Sequence, residues 1–419
     1  MHNSEEIKSK IEELMSNTPG IVSVGYGYKT KNGVMTNDLS FVYSVQEKKP
    51  LSELTPEEII PSEVNMTTGK IKTDVRVIHN VKALACNATC GQMAGSNSAF
   101  NRSVVRPIRG GLSMTSTNTI STVGTLGFIG VHTDTQTLVG VTNNHVTIQD
   151  AFYTSERNPS GDIKNEYSSV NNIYQNGENG YIPPSNYLIG QSLRYVPIHE
   201  DDGITVNYAD AAFFSVKSED IDNTISIQQA GVSYTSYLPF ATTSEIDNLL
   251  TTNPMLYSSG RTTGPKGGAS CPIRVSLVNA LTYIQYHRQG TYTTTLFGGC
   301  IEFVKPVADP DISTICSNPI IAGDSGSALI ADFGGVRKII GLVFAGADIG
   351  GTTYYGYACR IDKVAQELGI EAWDGTSKNF VNPASIYYIT TPLGSNDKVI
   401  SCGGRDYWQV GFTNDSNPC

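Results

Sequence analysis

The 419-residue chain reads as a mainly β protein that begins with a small α+β unit. Charged residues make up only 16% of it, and Gly, Thr, Ser, Asn and Tyr are abundant, a balance that suits strands and turns better than helices. Apolar runs of strand length recur throughout, with no heptad run, low-complexity tract or internal repeat. At this length the chain exceeds one ordinary domain and buries a sizeable core. Its net charge of −10 argues against a nucleic-acid binder, whose footprint is basic.

Taken in order, the first segment places Ile7, Ile11, Leu14 and Met15 at helical spacing. It lacks the apolar centre of a signal peptide, and nowhere does the chain hold the ~18 consecutive apolar residues a spanning helix needs. The expectation is therefore a cytoplasmic or non-classically released protein with no membrane span. Alternating strands follow around 20–29 and 38–47, then a polar stretch, Leu51 to Pro61, and a strand near 71–78. These make an amino-terminal α+β domain, 1–80, followed by a linker of small and polar residues, 81–104. The main domain is expected at 105–370. The polar stretch from about Asn158 to Asn186 reads as a surface insertion, and Ile361 to Gly369 as a closing helix with a terminal glycine. Residues 371–419 form a carboxy-terminal β extension, strand-like at Ser385 to Thr390 and Tyr407 to Phe412.

The eight cysteines are Cys86, Cys90, Cys271, Cys300, Cys316, Cys359, Cys402 and Cys419. Cys86 and Cys90 have three residues between them and no second ligand pair nearby, which disfavours zinc; a disulfide or two free thiols fits better. No metal or organic cofactor is implied.

The most informative stretch is Ile320 to Leu329, where Gly323-Asp324-Ser325-Gly326 sits between apolar strand-forming residues. A serine hydroxyl becomes a nucleophile only beside a base, and the carbonyl it attacks needs amide donors, which glycine-rich turns can converge on one point. In isolation such a tetrapeptide is also an ordinary tight turn. Of six histidines, only His145 ends an apolar strand-like run, Thr137 to Val146. Asp210 stands at the start of another, Asp210 to Val216, and a lone acid there needs a partner.

The order His145, Asp210, Ser325 and the segments Asn144-His145-Val146, Asp210-Ala211-Ala212 and Gly323-Asp324-Ser325-Gly326-Ser327 resemble the chymotrypsin-like serine proteases. The Gly-x-Ser-x-Gly elbow of the α/β-hydrolases is not met, because Ser327 replaces the second glycine. A finer resemblance lies in Arg106-Pro107, Gly110-Gly111-Leu112-Ser113, Gly124-Thr125-Leu126-Gly127 and Thr142 to Val146, which are similar to bacterial and plant narrow-leaf-type trypsin-like peptidases. Those peptidases commonly carry a small amino-terminal domain. The resemblance implies two antiparallel β-barrels, with His145 and Asp210 on the first and Ser325 on the second.

It further implies a serine endopeptidase acting on a protein or peptide. Ser325 is then the nucleophile, His145 the general base and acid, Asp210 the acceptor that orients the imidazole, and the Gly323 and Ser325 amides the oxyanion hole. The strand through Phe344, Ala345 and Gly346 would pair with substrate and wall the specificity pocket. Pro319 occupies the pocket-base position, where an acid would select arginine or lysine, so apolar or small side chains are expected. For Asp324 two readings stay open: capture of a newly cleaved amino terminus, as in zymogens, or acceptance of local hydrogen bonds in a competent loop. For the amino-terminal domain the readings are a removable pro-segment, with self-processing within 81–110, or a permanent structural part. From a different functional class, the alternative is a catalytically silent protease-fold binding module. The sequence is silent on oligomeric state.

Overall fold

The computed structural model describes residues 3–31, 34–84, 102–116, 123–147, 153–157, 163–165, 172–175, 187–216, 227–229, 232–234, 238–268, 271–288, 291–305, 320–348, 353–375, 389–390, 398–402 and 405–409. Two large sheets dominate it. The first runs, neighbour by neighbour, through Ile370–Ala372, Phe128–His132, Thr137–Thr142, Ala212–Ser215, Leu188–Tyr195, Asn172–Gln175, Ser113–Ser116 and Gly124–Thr125, antiparallel throughout. Ile389–Thr390 adds a short parallel strand to Leu188–Tyr195.

The second sheet runs Gly264–Gly267, Met255–Gly260, Ala328–Phe333, Val336–Asp348, Thr353–Arg360, Thr291–Val304 and Arg274–Arg288. It then continues into the amino-terminal strands Ile21–Lys31, Val34–Val45, Gly69–Val77 and Glu63–Met66. This is the mainly β, chymotrypsin-like double-barrel arrangement that the sequence predicts, with a small α+β portion fused to the second sheet through the pairing of Ile21–Lys31 with Arg274–Arg288.

Strand periodicity explains how the sheets pack. In Thr137–Thr142, Leu138 points into the core of the first barrel, with Ile129, Val131 and Ile189. Val139 and Val141 face the other way, into the larger core that both sheets share. Strands buried on both faces read as continuous apolar runs. The amino-terminal helix, Ser4–Asn17, starts where Asn3 accepts the Glu5 N–H at 3.0 Å, and it buries Ile7, Ile11 and Met15. These pack in a cluster with Ile21, Val24, Phe41 and Tyr43 of the amino-terminal strands, to which the second sheet adds Leu281 and Leu296. The closing helix spans Ile361–Leu368, and Gly369 caps it at φ +64° with its N–H donated to the Ala365 carbonyl.

Part of the expected insertion at 158–186 is instead a barrel strand. Asn172–Gln175 bridges Ser113–Ser116 and Leu188–Tyr195, and Ile173 is fully buried. A four-residue strand among polar and glycine-rich neighbours is too short to stand out by alternation. In the extension, Lys398–Cys402 and Arg405–Gln409 pair as a hairpin, while 385–388 and 410–412 lie outside the described residues. Cys271 is disulfide-bonded and Cys300 and Cys359 are buried free thiols; Cys86 and Cys90 also lie outside the described residues. Among the described residues, no helix is long and apolar enough to cross a membrane.

Candidate active site

His145 sits on a single helical turn, Asn144–Thr147, that directly follows the Thr137–Thr142 strand. Asp210 precedes Ala212–Ser215, whose pairing with that strand, Ala212 opposite Thr142, brings the two side chains together. Both residues are buried. The His145 Nδ1 and Asp210 Oδ2 atoms are 2.5 Å apart, and the His145 backbone N–H donates to Oδ1 at 3.2 Å. Three further contacts fix the acid. Tyr286 Oη donates to Oδ2 at 2.8 Å, the Asp210 N–H donates to Cys359 Sγ at 3.3 Å, and Asn143 Nδ2 donates to the Asp210 carbonyl at 2.5 Å. Burial pushes the Cys359 thiol well above its usual pKa, so it stays protonated and neutral beside the carboxylate.

Ser325 lies on the tight loop that enters the Ala328–Phe333 strand of the second sheet. Its carbonyl accepts the Thr125 N–H at 2.8 Å, which ties the loop to the first barrel. A Cβ added at Gly124 would stand 2.5 Å from the Val146 side chain and 3.0 Å from the Ser325 carbonyl oxygen, so the neighbour of His145 and the loop of Ser325 face each other across one methyl's width. Gly326 has φ +92°, and a Cβ there would lie 2.2 Å from both Thr125 O and Thr142 Oγ1. Only glycine permits this approach of the serine loop to the histidine strand.

Asp324 is buried, with Oδ1 accepting the N–H groups of Thr262 (2.8 Å) and Thr263 (2.9 Å), and Oδ2 that of Ile321 (3.0 Å). Burial raises its pKa against the opposing pull of these amides. Of the two readings of Asp324, local hydrogen bonding is the arrangement present.

Phe344, Ala345 and Gly346 lie on the Val336–Asp348 strand, and their edge is occupied by the chain itself. Residues His79–Ala83 form a strand antiparallel to it, with Ala83 opposite Ala345 and Lys82 opposite Gly346. The Leu84 N–H donates to the Phe344 carbonyl at 2.9 Å, and that same carbonyl accepts the Ser325 hydroxyl at 3.3 Å. The Gly323 N–H donates to the Leu84 carbonyl at 3.0 Å.

The structure thus brings His145 to Asp210, and Gly323, Ser325 and Phe344 to one short stretch of backbone. Pro319 lies outside the described residues. Sequence reasoning missed Tyr286, Cys359 and Leu84. Tyr286 is one of 22 tyrosines, on a strand whose pattern marks it only as inward-facing. Leu84 closes a short apolar alternation, Val81-Lys82-Ala83-Leu84, which carries a weak strand signal.

No protein-family model and no curated protein matches the chain. Among solved structures, Thermobifida fusca protease A is similar over 64% of this chain and 99% of its own, at 15% identity and a TM-score of 0.34. Nocardiopsis protease is similar over 63% and 98%, at 16% identity and 0.33, and Cellulomonas bogoriensis chymotrypsin over 64% and 98%, at 13% identity and 0.34.

Proposed function

We propose that the chain is a serine endopeptidase that works through an acyl-enzyme. Ser325 attacks the peptide carbonyl, and His145 takes the hydroxyl proton and returns it to the leaving amine. Asp210 holds the imidazole with Nδ1–H toward its carboxylate and stabilises the imidazolium, while the amides of Gly323 and Ser325 receive the oxyanion. The observation that carries this reading is the buried His145–Asp210 pair, at 2.5 Å, on a turn that abuts the Ser325 loop. A buried carboxylate is costly unless it is well hydrogen-bonded, and this one accepts from His145 twice and from Tyr286 once.

The substrate is a protein or peptide, extended along Phe344, Ala345 and Gly346. The strand edge supplies main-chain hydrogen bonds irrespective of sequence. The reading requires no metal or organic cofactor. The Cys271 disulfide fits release into an oxidising medium better than residence in a reducing cytoplasm. A fluorophosphonate probe tests the proposal: wild type is expected to label covalently and Ser325→Ala to remain unlabelled. A correctly folded wild-type chain that neither labels nor cuts itself or an added peptide would make it a silent protease-fold binding module.

A further inference from the structure

We infer that the Leu84–Ala85 peptide bond is this enzyme's own substrate, cut by Ser325 within the same chain, and that the site takes leucine on the acyl side of the scissile bond. This rests on the endopeptidase reading and adds to it a bond, a side-chain preference and an order of events. Four contacts carry it. Residues 79–83 lie antiparallel along the 344–348 edge; the Leu84 N–H is held by Phe344 O at 2.9 Å; the Ser325 hydroxyl rests on that same oxygen at 3.3 Å; and the Leu84 carbonyl accepts the Gly323 N–H at 3.0 Å.

Extended backbone paired to a sheet edge is common, but one detail here is not required by pairing alone. The Leu84 N–H still bonds to Val336–Asp348, but the Leu84 carbonyl turns from that ladder to meet an amide of the nucleophile loop. A donor set on a loop beside a serine hydroxyl polarises the carbonyl it touches and stabilises negative charge there. Leu84 is therefore the residue whose carbonyl carbon is presented for attack. The direction of the chain agrees, because Lys82 and Ala83 run back along Gly346 and Ala345, on the amino-terminal side of the carbonyl.

The side chain supports the same assignment. Leu84 is 8% exposed and joins the apolar core that includes Ile320, Phe344 and Ala345. An acidic residue in that position would carry its carboxylate among these apolar neighbours and lose hydration on burial. On the outer side, the Lys82 ammonium lies 4.8 Å from the centre of the Tyr292 ring, a contact that keeps the charge at the surface while its backbone pairs.

The reaction balances with water as the only co-reactant. Ser325 Oγ adds to the Leu84 carbonyl carbon as His145 takes its proton, and the C–N bond to Ala85 breaks as His145 protonates the departing amine. Water then adds to the Leu84 ester, His145 again carrying the proton, and releases the Leu84 carboxylate and the Ser325 hydroxyl. The product carboxylate stays where it forms, because residues 1–84 remain paired to the second sheet through Ile21–Lys31 and Arg274–Arg288. Cleavage therefore leaves a tethered product in the cleft until the amino-terminal part dissociates.

The test uses full-length protein. Wild type, Ser325→Ala, Leu84→Met and Leu84→Glu are purified, and each is examined by intact mass, by sequencing of new amino termini and by fluorophosphonate labelling. The expected result is cutting of wild type and Leu84→Met into 1–84 and 85–419, an intact Ser325→Ala chain, and cutting of Leu84→Glu slowed by about a hundredfold or more. In case Leu84→Glu fails to fold, a synthetic peptide of residues 79–88 and its Leu→Glu counterpart are offered to wild type in trans, with hydrolysis of the Leu–Ala bond expected only in the first. A chain that labels at Ser325 yet stays whole, or is cut elsewhere, overturns the inference and leaves the endopeptidase reading standing. Cutting after Leu84 in Ser325→Ala also overturns it, since another protease is then responsible. Neither labelling nor cutting in wild type would remove the endopeptidase reading itself.

Discussion

Replacement of Tyr286 by phenylalanine removes one hydroxyl and little else, and it addresses how Asp210 is held. The hydroxyl lies 2.8 Å from Asp210 Oδ2, the same oxygen that faces His145 Nδ1 at 2.5 Å. A hydrogen bond to a buried charged acceptor contributes about 1.5–3 kcal/mol, so the variant is expected to lose about 2 kcal/mol of stability. Only part of this reaches the rate, because the bond exists before and during reaction and catalysis counts the difference. The carboxylate keeps both donors from His145, at 3.2 and 2.5 Å, but loses the one that fixes its rotation. A fall in kcat/KM of about tenfold, or ~1.4 kcal/mol, is expected, most of it in kcat. The sign of the pH effect follows from charge. With one donor fewer, Asp210 presents more negative charge to the imidazole, favours the imidazolium and moves the acid limb of the kcat/KM profile to higher pH. Peptide hydrolysis across pH 5 to 9, with urea unfolding measured alongside, reads both quantities. An unmoved acid limb together with kcat/KM within about twofold of wild type would refute a positioning role and leave Tyr286 as core packing.

Gly326→Ala places a Cβ 2.2 Å from two oxygens at φ +92°, and is expected to cost about 3 kcal/mol or more and to abolish Ser325 labelling, read by thermal melting and probe uptake. Asp210→Asn keeps the volume but loses the charge that sets the tautomer, and a drop in kcat on the order of 10⁴ is expected by steady-state assay with folding retained by circular dichroism. Glu302→Ala strands Arg76, which is buried, bonded to both Glu302 oxygens and set on an amino-terminal strand. A loss of about 3–5 kcal/mol is expected in denaturant melts, largely recovered when Arg76 is also replaced by methionine. His132 is buried, and burial lowers its pKa from 6.5, outweighing the raising effect of Asp134. Below pH 6.5 the unfolded chain therefore binds a proton that the folded one resists, so stability falls as pH drops through that value; His132→Gln is expected to flatten the dependence of Tm on pH between 7.5 and 5.5.

How much of this was legible beforehand depends on whether a signal is local. The helix at 4–17 and the closing helix before Gly369 follow from apolar spacing and a cap, and both were readable. Thr137–Thr142 and Ala212–Ser215 were readable too, because strands buried on both faces leave unbroken apolar runs. The pairing of His145 with Asp210 rested on order and context, and 65 positions separate them. Tyr286 was not legible: it reaches Asp210 from the other sheet, a contact separated by 76 positions and set by barrel packing. Nor was the continuation of the second sheet into the amino-terminal strands, since one strand's alternation does not name its neighbour.

That continuation bears on how the chain would be governed. An amino-terminal domain joined only by a linker would leave once the linker was cut. Here Ile21–Lys31 pairs with Arg274–Arg288, and Arg76 is buried against Glu302 while Tyr357 Oη donates to the same carboxylate at 2.7 Å. Leu281 and Leu296 belong to the same apolar cluster as Ile7 and Ile11. Peptide hydrolysis at residue 84 relieves none of these contacts, because they lie along the sheet and away from the scissile bond. On the proposed reading, release must break strand pairing, an ion pair and apolar packing together, and separation of the sheet is then the step that would open the cleft.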